Sequence, residues 1–101
     1  MTQVTAKDTL PKWLELTDAG FRITLKTPVE LCHVLTEKIE MRSPSVRDIK
    51  AANAAGNGDQ ELRELHLFAS LTQIPAKDLD DLKYLDYRRL QAGYFRLVEE
   101  D

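Results

Sequence analysis

The chain has one cysteine, Cys32, among its 101 residues. No intramolecular disulfide can form, which suits a reducing compartment such as the cytosol. Long apolar runs are missing too. Nothing approaches the roughly 18–20 residues of a membrane span, and the first residues, MTQVTAKDTLPKW, hold no apolar stretch of signal-peptide length. The chain therefore reads as soluble, without membrane contact. It also lacks a basic excess: 14 Lys and Arg stand against 17 Asp and Glu, a net charge of -3. Residues 1–50 carry 8 basic and 7 acidic side chains, or +1, and residues 51–101 carry 6 and 10, or -4. Binding a phosphate backbone needs clustered Lys and Arg, so nucleic acid is not an expected partner.

The composition, 43% hydrophobic and 31% charged, is that of a folded domain of one modest core. Residues 1–12 are polar and aperiodic and read as a flexible N-terminal arm. Residues 13–101 read as a single domain. Trp13, Leu14 and Leu16 form a short apolar patch, readable as a brief strand or as a segment docked on the core. Thr17-Asp18-Ala19-Gly20 reads as a turn.

The clearest period follows. Phe21, Ile23, Leu25, Val29 and Leu31 alternate with Arg22, Thr24, Lys26, Pro28 and Glu30, the pattern of a half-buried strand. Pro28 cannot donate to a ladder and so predicts an edge or a bulge. Leu35, Ile39 and Met41 alternate with polar residues in a second strand, although Glu37 interrupts the inner face. The two strands predict an antiparallel hairpin with its turn near Cys32-His33.

Ser45 and Asp48 resemble a capping box and open a helix whose inner face is Val46, Ile49 and Ala52 or Asn53; Gly56-Asn57-Gly58 ends it. Asp59 can cap a helix over 60–72 with Leu62, Leu65, Phe68, Ala69 and Thr72 on one side, a stripe that Leu67 and Leu71 broaden. After Ile74-Pro75 a short helix spans about 76–82. Asp86 is expected to cap a last helix over 87–99, with Tyr87, Leu90, Tyr94, Leu97 and Val98 inward. Gly93 in its interior predicts a close approach by another backbone. The fold class is α+β, an N-terminal antiparallel β-hairpin followed by three or four short α-helices. A lone hairpin is marginal in water, so its apolar face must be covered by the helices or by another chain.

Three runs, ITLKTPVEL, KIEMRSPSVRDI and FASLTQIPAKDLDDLKYLDYRRLQ, resemble in order and spacing the tail assembly chaperone family of Mu-like and related contractile-tailed phages. The shared pieces are the strand through Lys26, Pro28 and Val29, and Met41-Arg42 and Pro44 leading to Asp48-Ile49. They continue with Leu71-Thr72 before Ile74-Pro75, then Leu82 before Asp86-Tyr87-Arg88. The family pattern has a glycine in the hairpin turn where Cys32-His33 stand here, and a shorter leading arm. The resemblance implies a protein of the host cytoplasm that binds the tape measure protein during tail tube assembly and is not kept in the virion. It also implies a longer product made by ribosomal frameshift.

A helical apolar groove suits that task, because amphipathic helices lie into such grooves. The candidate partner-binding residues are Tyr94, Phe95 and Val98 on the last helix, each also readable as core. Phe95 lies off the inward stripe and is the candidate exposed anchor. The first strand offers an edge to a second copy, so a homo-oligomer is the other expected assembly.

Catalytic, cofactor and metal roles have no candidates, and the chain does not read as an enzyme. Cys32-His33 has no orienting third group. His66 has Ser70, not a ligand, at i+4, and Asp78, Asp80 and Asp81 lack the spacing and glycine of a calcium loop. The alternative function is a small phage-encoded DNA-binding transcriptional regulator, with Ser45 to Thr72 as a helix–turn–helix. The charge balance and the loop AAGNGDQ count against it.

Overall fold

Alternation of apolar and polar residues makes a strand with one face to bury, and the sheet is built on that strand. The computed structural model describes residues 10–99. The expected arm falls for the most part, over residues 1–9, outside the described residues. Strand β2 (Gly20–Leu31) lies between β1 (Leu14–Leu16) and β3 (Val34–Arg42) in an antiparallel sheet of order β1-β2-β3. The Trp13–Leu16 patch thus forms a third strand, joined to β2 through the pairs Leu14↔Ile23 and Leu16↔Phe21. The turn before β2 is closed by the Thr17 hydroxyl, which accepts the Gly20 N–H at 3.0 Å. Arg22 sits on the wet face between its two cross-strand neighbours. It bonds Glu15 at 2.8 Å and Glu40 at 2.9 Å, an exposed triplet that marks register more than it adds stability.

Cys32 and His33 form the two-residue turn joining Leu31 to Val34. Both have positive φ, 51° and 68°, as a turn matching the twist of a hairpin requires. No glycine relieves it. Instead the Cys32 N–H and Sγ each donate to the Asp78 carboxylate at 3.2 Å, tying the hairpin tip to the helices.

Register breaks where Pro28 predicts it. Five steps from Thr24 to Val29 lie opposite two steps from Lys38 to Thr36. The slip takes the hairpin tip out of phase with its base. Leu35, expected inward, is therefore 68% exposed, and only Ile39 and Met41 of β3 enter the core.

Helix α1 (Val46–Gly56) starts with the expected capping box. Ser45 Oγ accepts the Asp48 N–H, and Asp48 accepts the Ser45 N–H at 2.8 Å. Asp48 also takes a bidentate bond from Arg42 at the end of β3, at 2.7 and 3.1 Å. Ala52 and Gly56 are buried and Ile49 packs on the core. Val46, expected inward, is 72% exposed: it is the first helical residue, and the stripe 46-49-52-56 extends there beyond its cover. Helix α2 (Gln60–Thr72) has the expected bounds, with Asp59 accepting the Glu61 and Leu62 N–H groups. It buries Leu67, Phe68 and Leu71 against the sheet side of the core.

Helix α3 (Ala76–Leu79) is shorter than expected. After Leu79 the bonds tighten to i→i+3, Asp81 N–H to Asp78 and Leu82 N–H to Leu79, so the path stays coiled without remaining α-helical. Helix α4 (Tyr84–Val98) starts three residues before the expected position. Asp86 is not its cap. Lys83 holds that place with no side-chain bond, and Asp86 lies in the first turn, where a negative charge suits the helix dipole. Its carboxylate, wholly buried, accepts the Lys26 N–H at 2.7 Å and the Thr27 N–H at 3.1 Å. Both amides lie in the stretch between Thr24 and Val29 where the register shifts, so one buried acid ties that irregular stretch of β2 to α4.

Gly93 marks a close approach, but to a side chain and not to another backbone. A Cβ there would lie 2.5 Å from Cε1 and Cζ of the buried Phe21 ring. The ring thus fills the notch that glycine leaves in α4.

Candidate functional site

The helical layer leaves large apolar side chains open on two surfaces. The first is a groove of about 520 Å³ between α2, α3 and the start of α4. Its floor and walls are Leu62, Leu65, Leu79, Leu82, Tyr84 and Tyr87. Leu79 and Leu82 are buried and form the base, whereas Tyr84 at the rim is 73% exposed. The layout follows from the helix patterns. Leu67, Phe68 and Leu71 of α2 are buried while Leu62 is left exposed, and after the break at Ile74-Pro75 α3 packs beside α2, with the channel between them.

Four carboxylates, Asp59, Glu61, Glu64 and Asp80, line the same groove, and no Lys, Arg or His does. Asp59 is engaged as the α2 cap. Glu64 Oε1 accepts from the Tyr87 hydroxyl at 2.9 Å and from Gln91 Nε2 at 2.8 Å. Burial, and then the bond to Glu64, raise the Tyr87 pKa well above the usual phenol range, so its hydroxyl stays a proton donor. Glu61 and Asp80 make no ion pair among the described residues.

The second surface is the outer side of α4. Leu85, Arg88, Ala92 and Phe95 are exposed at spacings of three, four and three, one stripe of the helix. Of the candidate residues, Phe95 is 58% and Val98 46% exposed, while Tyr94 is half-buried. Tyr94 packs its ring 5.3 Å from Phe68 and 5.9 Å from Phe95. Phe68 in turn lies 5.7 Å from Tyr87. A chain of rings therefore joins the groove wall to the outer face of α4. None of Tyr94, Phe95 and Val98 lines the groove. Sequence reading missed the groove itself. Its one visible trace was the acidic excess of residues 51–101.

The edge expected on the first predicted strand is covered over its first part, Phe21 to Thr27. β1 covers β2 at Phe21–Ile23, and Asp86 takes the next free amides. The outer side of β3 pairs with no strand among the described residues.

Cys32 donates its thiol proton to Asp78 and not to its neighbour His33; that bond, reinforced by desolvation, raises its pKa. The thiolate a nucleophile needs is thereby disfavoured. His66 is exposed. Among the described residues no group of three or more His, Cys, Asp or Glu is placed to hold a metal ion, and no helix is long and apolar enough to cross a membrane.

The family model described as "Phage tail assembly chaperone proteins, E, or 41 or 14" matches residues 22–99, from within β2 to just past α4. No curated protein and no solved structure gives a significant match.

Proposed function

This chain belongs to the phage tail assembly chaperone family, and on that premise we propose that it binds the tape measure protein while the tail tube assembles. In this reading it works in the host cytoplasm by binding alone, without a catalysed step, and leaves before the virion is complete. The observation that carries the reading is the pairing, in one small domain, of an open groove with an apolar floor and the exposed apolar side chains Leu85, Phe95 and Val98 on α4. A long helical partner exposes apolar stripes until the tube encloses it, and surfaces of this kind cover such stripes. Release to incoming tube subunits demands modest affinity per copy, and several copies on one long partner gain occupancy through avidity.

The regulator reading has little to recommend it. The helix it would place on DNA, α2, presents Glu61 and Glu64 along the groove, where phosphates would be repelled.

Co-expression with the tape measure gene of the same phage tests the proposal. The expected result is a soluble tape measure product that co-purifies with the chain, and purified tails that contain none of the chain by mass spectrometry. A tape measure product that stays insoluble and uncaptured would overturn it.

A further inference from the structure

We infer that the groove between α2, α3 and α4 receives a single amphipathic helix of the tape measure protein whose apolar stripe is flanked by Lys and Arg. The inference rests on the chaperone reading and deepens it. Charge complementarity argues for the flanks. The carboxylates lie on both walls, Asp59, Glu61 and Glu64 on the α2 side and Asp80 at the end of α3, and no basic side chain lines the groove. Arg63, the basic residue between Glu61 and Glu64, turns away and donates to Asn53 of α1. Glu61 and Asp80 have no ion-pair partner among the described residues, so an incoming cation displaces nothing.

The walls argue for a helix. They are side chains of helices, of their caps and of the turn at Leu82, with no strand edge among them. An extended peptide draws its affinity from main-chain bonds to such an edge and finds none here. A helix satisfies its own backbone and needs only apolar side chains at i, i+3 or i+4 and i+7 to enter the channel. A volume of about 520 Å³, open to solvent and floored by Leu79 and Leu82, suits a row of side chains from one helix.

The test titrates the full chain with two synthetic peptides of about 20 residues, long enough to hold helical structure. Both carry the same leucine stripe; one is flanked by lysines and the other by glutamates. The lysine peptide is expected to bind at least about tenfold more tightly, and more weakly as salt rises. Its amide shift changes should centre on Leu62, Leu65, Leu82 and Tyr84. The double variant Glu61→Lys/Asp80→Lys, which spares the Asp59 cap and the Glu64 bonds, should lose about tenfold toward that peptide with an unchanged circular dichroism spectrum. It should also retain less tape measure product on co-expression.

Equal affinity for the two peptides, or shifts confined to Phe95 and Val98, would overturn the inference. So would a wild-type dimer that the double variant dissociates, because a second copy would then be the occupant. Should the tape measure product co-purify equally with wild type and double variant, the groove assignment fails and the chaperone reading stands. Should it fail to co-purify with wild type while the lysine peptide still binds the groove, the chaperone reading fails and the occupant named here is wrong.

Discussion

Removing the Asp86 carboxylate should loosen the join between sheet and helices more than any other single polar change. Two backbone N–H groups, of Lys26 and Thr27, end on that carboxylate at 2.7 and 3.1 Å, and the acid is wholly buried. Hydrogen bonds to a charged group contribute about 1.5–3 kcal/mol each. The Lys26 and Thr27 side chains are exposed, so water can partly replace the lost acceptor, and the low end applies. Asp86→Ala is then expected to cost about 3 kcal/mol. Asp86→Asn keeps one acceptor oxygen but turns an amide NH₂ toward a donor, and should cost about 2 kcal/mol.

Urea unfolding followed by the fluorescence of Trp13, the one tryptophan, is the assay. Trp13 reports close to the clasp, since the Arg89 guanidinium lies 4.9 Å from its ring centre and also donates to the Thr24 carbonyl at 2.7 Å. With a slope of about 2 kcal/mol per molar urea, the Asp86→Ala midpoint should fall by about 1.5 M. Hydrogen exchange of the wild type supplies a reading that does not depend on a variant folding. The Lys26 and Thr27 amides should be protected, although neither residue is paired across the sheet. Midpoints within about 0.3 M of wild type, together with unprotected Lys26 and Thr27 amides, would refute the reasoning.

Three further outcomes follow from the same structure. Gly93→Ala should destabilise by about 1 kcal/mol despite the better helix propensity of alanine, because the new Cβ meets the Phe21 ring at 2.5 Å; adding Phe21→Leu should recover part of the loss in a double-mutant cycle. Arg42 first, and then the Ser45 N–H, hold the Asp48 carboxyl well below the usual range, so its stabilisation is complete above the unfolded value of about 4 and is lost as pH falls below that toward the folded value. The gap in melting temperature between wild type and Asp48→Asn should therefore be steady from about pH 7 to pH 5 and close in stronger acid. Cys32 should react with iodoacetamide at pH 8 more slowly in the folded chain than in the denatured one, and Asp78→Asn should speed the folded reaction, because the bond to Asp78 is the main cause of its raised pKa. Equal rates would mean that the hairpin tip does not rest on α3.

Local physics made much of the fold legible. β2 declares itself because a half-buried strand must alternate, and Ser45 with Asp48, or Asp59 alone, can be read as caps because their partners lie within three residues. The turn at Cys32-His33 followed from the strands on either side of it, even without glycine. What resisted reading depends on distant partners. An aspartate near the start of a helix looks like a cap, and nothing local reveals that Asp86 bonds amides about sixty positions earlier. Leu35 and Val46 satisfy their periods and are still exposed, since a register slip and an uncovered first turn are properties of the assembled chain. Gly93 was legible as a close approach, but not the ring that makes it. At the candidate site, the off-stripe position of Phe95 indicated exposure, whereas the groove draws on residues from 59 to 91 across three helices and left only a charge excess as its signature.

Amide hydrogen exchange on the chain alone and in complex with the tape measure product most directly tests whether the helical layer is the holding surface. The account predicts slowed exchange along α2, through Ala76–Leu82 and along α4, with β1, β2 and β3 unchanged. Protection confined to the sheet, with the helices exchanging as they do in the free chain, would contradict it.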